Sequence, residues 1–296
     1  MEDQAEKLRE IMRKRGETQE KPQKTWDKKK SRIITVTSGK GGVGKTNVSI
    51  NMAIVYARLG KKVVVMDADL GLANVNIMLD LAPKHTLVNV MRREKTMKEI
   101  LMESEYGISI VGGVSGISKV ADLTDEERKH FIQELSTLSY ADIIIVDTSA
   151  GVSKNVLDFI AAADDVIIVT TPEPTALTDA YALTKIIHSE LMEHMELDLK
   201  LVVNRTKNAE EAKKIAERIT GIATQFMNIK IEYLGFIYDD PIVSHAVMYQ
   251  KPFTVIDPRS KAATCVQHIV ERMERMTPRH TGGGFSMLIK RIFNRT

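Results

Sequence analysis

Ile33-Ile34-Thr35-Val36-Thr37-Ser38-Gly39-Lys40-Gly41-Gly42-Val43-Gly44-Lys45-Thr46-Asn47 is the stretch whose reading settles the fold. Its first five residues are all β-branched, which suits a strand. Beyond it Val48, Met52, Val55, Tyr56 and Leu59 recur at the three-and-four spacing of one helix face. The whole fits the strand–G-x-x-x-x-G-K-[ST]–helix form of a phosphate-binding loop. Gly39, Gly41, Gly42 and Gly44 lack a Cβ, so the backbone can curl around Val43 and present its N–H groups to phosphate oxygens. The positive end of the following helix dipole points at the same anion. Lys45 is expected to reach the β- and γ-phosphates, and the Thr46 hydroxyl to hold Mg²⁺, with Asn47 beside it. The bland alternative is a Gly-rich turn between strand and helix. The agreement of loop, Lys-Thr pair, strand and helix stands against it.

Working outward, aliphatic runs alternate with helical patterns. Val63-Val64-Val65-Met66, Ile143-Ile144-Ile145-Val146, Val166-Ile167-Ile168-Val169 and Leu201-Val202-Val203 are continuous. Such runs belong to strands covered on both faces. Ile108-Ser109-Ile110-Val111 is short and alternating, and Tyr233-Leu234-Gly235-Phe236-Ile237 is weaker. Helices are expected near 44–59, 125–138, 154–163, 175–195, 208–224 and 259–276. The pattern predicts an α/β fold, a doubly wound and mainly parallel sheet flanked by helices, with sites at the carboxyl ends of strands. Residues 33–276 form the expected ATPase domain. Residues 1–32 precede it as a charged helix and linker, and 277–296 follow as a hinge (Gly282-Gly283-Gly284) and a terminal helix.

Composition narrows the classes. Cys265 is the single cysteine among 296 residues, so an intramolecular disulfide and a cysteine metal cluster are both excluded. The seven His show no metal-ligand spacing. The charged first thirty residues have no apolar core of a signal peptide, and no apolar run is long enough to span a bilayer. A cytoplasmic protein is expected. Residues 1–32 carry 11 Lys/Arg and 7 Asp/Glu, and 284–296 carry 3 Lys/Arg and no acid, which leaves the body with 28 basic and 32 acidic residues. Positive charge resides on the tails, which argues against a broadly basic nucleic-acid-binding body while allowing a local patch.

Three carboxylates fall at strand ends: Asp67 and Asp69 after Val63–Met66, and Asp147 after Ile143–Val146. On a phosphate-loop fold they are placed to hold Mg²⁺, its waters and the attacking water. Helix caps or turns are the other use of Asp there. Base choice has its own argument. The strand ending Val203-Asn204-Arg205-Thr206-Lys207 carries Lys207 where a guanine site would offer an acid, and Lys has no acceptor, so adenine is favoured.

Lys40-Gly41-Gly42-Val43-Gly44-Lys45-Thr46 resembles the deviant Walker A motif of the MinD/ParA family, marked by the additional Lys40. Asp67-x-Asp69 and Asp147-x-x-Ala150-Gly151 are similar to that family's switch motifs, and the likeness spans about residues 32–276. The resemblance implies a slow, partner-regulated Mg²⁺-dependent ATPase that closes into a homodimer around ATP and opens with ADP. It places Lys40 on the partner's nucleotide, Asp69 on the attacking water, Asp67 and Asp147 with Thr46 at the metal, and Asn51 near the γ-phosphate. Asn204 resembles the family's base-binding Asn. With it go Arg205 and the Asp239-Asp240-Pro241 segment, the other wall of the base pocket. A turn role at the strand end is the competing use of Asn204.

The tails separate branches of the family. Wound as a helix, Phe285, Leu288, Ile289, Ile292 and Phe293 share one arc with Lys290, Arg291, Asn294 and Arg295 opposite. Such a segment can lie on an anionic membrane, weakly as one copy and better as two. Docking into a groove on the body or on a partner is the alternative. Asp3-Gln4-Ala5-Glu6-Lys7-Leu8-Arg9 is similar to the Asp-Gln-Ala-x-x-Leu-Arg motif of the FlhG branch, which governs flagellum number and placement. The resemblance makes Asp3, Gln4, Ala5, Leu8 and Arg9 an activator of the SRP-type GTPase FlhF, with Gln4 ordering its catalytic water. Flagellar C-ring components are further implied partners. A division-site MinD or a DNA-partitioning ParA would share the body. The amino-terminal motif is not needed by the first, and the acidic body argues against the second.

Overall fold

A computed structural model describes residues 31–69, 74–113 and 124–276, with nothing stated of the side chains of Asp125 and Arg128. The order begins β1 (Arg32–Thr37), α1 (Lys45–Arg58), β2 (Val63–Ala68), α2 (Asn74–Met78), α3 (Leu87–Met91), α4 (Met97–Ile100), β3 (Met102–Glu103), β4 (Ile108–Val111) and α5 (Asp125–Ser136). It continues β5 (Ile143–Thr148), α6 (Lys154–Ala162), β6 (Asp165–Thr170), α7 (Pro174–Ile187), β7 (Leu199–Thr206), α8 (Ala209–Met227), β8 (Ile231–Tyr238), α9 (Pro241–Met248), α10 (Phe253–Ile256) and α11 (Lys261–Arg275).

The eight strands form one sheet in the order β3-β4-β2-β5-β1-β6-β7-β8, parallel throughout except for the short β3. This is the doubly wound architecture that the aliphatic runs predict. Side chains alternate across the sheet. Ile33, Val64 and Ile144 join a core closed by α5 to α8, and Ile34, Val65 and Ile145 one closed by α1 and α9 to α11.

β1 and α1 form as their sequences dictate, with one difference. Leu59, placed by periodicity on the buried face of α1, is 53% exposed just past the helix end. Ile50, Ala53 and Ile54, assigned to no face, are fully buried. The helix is enclosed nearly all round, between the sheet on one side and α10 and α11 on the other, so a one-face pattern could not describe it. The short α9 and α10, missed by periodicity, begin at Pro241 and just after Pro252. Pro241 pre-sets the first turn of α9, and the Asp240 carboxylate caps it by accepting from Ile242 N–H at 3.1 Å.

The amino-terminal motif, Trp26, the Gly282–Gly284 hinge and the apolar arc from Phe285 to Phe293 lie outside the described residues. Among the described residues, no helix is long and apolar enough to cross a membrane.

Candidate nucleotide site

The site lies at the carboxyl ends of β1, β2 and β5, where the sheet delivers the loop and the carboxylates together. Gly44 precedes α1 with φ +95°, and a Cβ there would collide with the Asn204 amide; glycine is required on both counts. Gly39 rests against the backbone of Asp179 on α7, closer than a side chain allows. The Ser38 hydroxyl donates to Lys40 O at 2.7 Å, and Gly151 N–H donates to Ser38 O at 2.9 Å, tying the loop to the segment after β5. Asn204 Nδ2 donates to Val43 O at 2.8 Å, so the end of β7 braces the loop from the other side.

Below the loop, the Thr46 hydroxyl donates to Asp147 Oδ2 at 2.7 Å and the Ser49 hydroxyl to Oδ1 at 2.9 Å. Asp67 stands directly beside Asp147 in the β2–β5 register. Both are buried, and Lys45 is buried with them. Burial raises the Asp147 carboxyl to about 6, although the hydroxyls of Thr46 and Ser49 and the charge of Lys45 oppose the rise. Burial and the neighbouring Asp147 together raise Asp67 to about 7, against the N–H groups of Asp69 and Val75. Burial pulls Lys45 below its ordinary value while Asp147 and Asp69 hold it up. Adjacent buried carboxylates with one ammonium are short of positive charge. A divalent cation beside Thr46 Oγ1 corrects that shortage, so the donor set fits Mg²⁺. Asp69 accepts from Asn74 Nδ2 at 3.1 Å, linking it to α2.

Beside the loop opens a cavity of about 510 Å³, walled by Gly44, Asn47, Asn204 and Arg205 on one side and by Tyr238, Asp239 and Asp240 on the other. Arg205 follows Asn204 with φ +56°, its N–H donating to Asn204 Oδ1 at 2.9 Å. Backbone amides for phosphates at one end and amide and carboxylate groups at the other make a nucleotide-shaped site.

A family model described as an AAA domain matches residues 31–201. The antiactivator FleN of Pseudomonas aeruginosa is 34% identical over 262 residues, covering 88% of this chain and 92% of the relative. The flagellum site-determining protein YlxH of Helicobacter pylori is 33% identical, covering 91% of this chain and 89% of the relative. Among solved structures, the MinC:MinD complex of Aquifex aeolicus aligns with TM-score 0.66 at 25% identity, covering 83% of this chain and 97% of that one. MinD of Pyrococcus horikoshii with Mg-ADP aligns with TM-score 0.65 at 23% identity, covering 83% and 96%.

The chain belongs to the MinD/ParA family of P-loop ATPases.

Against the family expectations, most site residues converge and two do not. Lys40, Lys45, Thr46, Asn47, Asp67, Asp69, Asp147, Asn204 and Arg205 surround one site. Asn51 does not face it. Fully buried, it accepts at Oδ1 from Thr254 N–H (3.0 Å) and the Thr254 hydroxyl (2.8 Å), and its Nδ2 donates to Asn47 O at 2.8 Å. That side chain fastens α1 to α10. Pro241 opens α9, and the cavity wall is built by its neighbours Asp239, Asp240, Val243 and Ser244. Sequence reasoning missed Ser49, one turn beyond Thr46, which holds the second oxygen of Asp147. It also missed Glu173 and Thr175 at the start of α7. Lys40 Nζ contacts Glu173 Oε2 and Thr175 Oγ1, each at 2.8 Å, within its own protomer. The Thr-Pro-Glu-Pro-Thr run after β6 was the available signal, since a strand end facing the loop is where site residues gather.

Proposed function

We propose that this protein is an ATP-hydrolysing switch that regulates the number and placement of bacterial flagella. The observation that carries the reading is near full-length similarity to FleN and YlxH in a chain whose loop, Lys40 and strand-end carboxylates share one site. Backbone N–H groups of Gly41 to Thr46 and the Lys45 ammonium bind and orient the phosphates. Thr46 and Asp147, with Asp67 behind, would hold Mg²⁺, which would supply charge neutralisation on the phosphates. Asp69 orients the attacking water. A carboxylate is a weak base toward water, so turnover is slow. Asn204, Arg205 and the Asp239-Asp240 wall hold adenine.

In this reading ATP joins two protomers, and Lys40 leaves Glu173 and Thr175 for the nucleotide of its partner. Two copies of the 285–293 segment then hold an anionic membrane together where one is too weak. Hydrolysis to ADP releases them. The 3–9 segment meets an SRP-type GTPase, FlhF, and accelerates its GTP hydrolysis through Gln4. C-ring proteins are further partners.

The deciding experiment measures size by light scattering and pelleting with anionic liposomes, with ADP and with a non-hydrolysable ATP analogue. Dimer and pelleting are expected only with the analogue, and Lys40→Ala should remove both. A peptide of residues 1–20 should speed GTP hydrolysis by FlhF, and its Gln4→Ala form should not. An unchanged mass with either nucleotide defeats the switch, and equal action of the two peptides defeats the activator role.

A further inference from the structure

Residues 33–283 hold 28 basic and 32 acidic side chains, yet one concavity on this acidic body has no carboxylate in its wall. It measures about 570 Å³ and follows β8, the last strand of the sheet, between α11 and the first turn of α8. Its floor is apolar, with Leu234 and Ile269 buried at 1% exposure each, and the rings of Tyr233, Phe236 and Tyr238 rise along the strand. Around the rim stand Lys213, Arg259, Lys261, His268 and Arg272.

Part of that charge is already engaged. Arg272 donates to Leu234 O at 2.6 Å and so covers one stretch of the strand edge. Lys261 stands 5.6 Å from the centre of the Tyr238 ring. Lys213 reaches Glu217 on its own helix only at 3.7 Å. Arg259 and His268 have no side-chain hydrogen bond or ion pair among the described residues. A rim of one sign above an apolar floor concentrates its field on whatever enters.

We propose that this groove is a docking site for an acidic peptide segment of a partner protein, one that carries apolar side chains between its carboxylates. Arg259 and Lys213 would take carboxylates, Arg259 in two-pronged fashion, while Leu234, Ile269 and the aromatic wall take the apolar side chains. Charge complementarity selects this occupant. The chain's own terminal segment, residues 284–296, holds three Lys/Arg and no acid, so it offers this rim no opposite charge. A nucleic acid strand needs cations spaced along a track, whereas these ring a single cavity. The proposal goes beyond the nucleotide reading and does not depend on it.

The probe is a fluorescein-labelled nine-residue peptide of alternating glutamate and leucine, followed by anisotropy against the full chain at low and at moderate salt. Saturable binding is expected, weakened at least tenfold by the double change Arg259→Glu with Lys213→Glu. A peptide with glutamine in place of glutamate should bind at least tenfold more weakly to the unaltered protein. Both substituted side chains are exposed, and a cooperative thermal melt like the parent's shows that the double variant is folded. The proposal fails if the variant binds the acidic peptide as the parent does, or if the glutamine peptide binds equally well. It fails also if a twenty-nucleotide oligo-dT or a synthetic 277–296 peptide displaces the acidic probe at lower concentration than the probe's own unlabelled form.

Discussion

Both ends of the sheet bury charge, but the two ends balance it differently. At the amino ends of the strands, Arg32 on β1 meets Asp165 on β6 at 2.6 Å, and Lys200 on β7 meets Asp165 at 2.7 Å and Asp198 at 2.8 Å. Lys200 and Asp165 are at most 1% exposed. Arg32 and Lys200 there contact Asp165 and Asp198 directly, and Arg32 also donates to Met273 O at 3.1 Å, clasping α11. At the carboxyl ends, Asp67 and Asp147 lie side by side with the buried Lys45 between them and Asp69, and burial holds the first two carboxyls above their usual range. The first end pairs its charges with its own side chains. The second keeps an excess of buried carboxylate over ammonium, the mark of a binding site rather than a stability cluster.

Four substitutions or conditions would break or sharpen this contrast. The largest effect belongs to Lys45→Ala, which removes the buried ammonium from beside the carboxylates of the ligand end. ATP turnover should fall by about 100-fold or more, read in a phosphate-release assay, while the melting temperature moves little. Turnover within a few fold of the parent would mean that the carboxyl-end cluster is not the catalytic one. Next, Lys200→Met leaves Asp165 and Asp198 buried with too little positive charge and should cost about 3–5 kcal/mol in denaturant unfolding. Nucleotide affinity of the folded fraction should be unchanged, and altered affinity would show that the two ends are coupled.

The third test is pH. Asp67 and Asp147 titrate higher in the folded chain than in the unfolded one, so the folded state holds their protons more tightly. Stability from these groups is full below the unfolded pKa near 4, is lost as pH rises toward 6 and 7, and stays lost above. The loss should be on the order of a few kcal/mol in chelator. If Mg²⁺ binds the ionised pair, its stabilising effect should be small at pH 5 and largest above pH 7. An Asp147→Asn variant should flatten both curves. A Mg²⁺ effect independent of pH would remove these carboxylates from the metal site. The smallest effect is that of Asn51→Ala, which should cost about 1–3 kcal/mol of stability through the orphaned Thr254 donors. Its KM for ATP should stay within about twofold, because the side chain points away from the cavity. A large rise in KM would return Asn51 to the nucleotide.

What could be read in the sequence and what could not divide along the range of the interactions involved. Ile33–Thr46 announced strand, loop and helix because β-branched preference, glycine conformations and helix periodicity are set by near neighbours. The aliphatic runs announced a buried parallel sheet for the same reason, and an apolar strand ending in Asp147 announced a carboxylate at its carboxyl end. Asn51 was misplaced because its partner, Thr254, lies 203 residues away, and helical spacing cannot tell which side of an enclosed helix meets what. Ser49 as second donor to Asp147 and the acid-free groove along β8 were likewise invisible, and the Thr171–Thr175 run marked a strand end at the site without showing that Glu173 and Thr175 hold Lys40. Each joins segments that only the strand order brings together. Local chemistry determined the elements and the kind of ligand, whereas packing decided which face of each element meets that ligand.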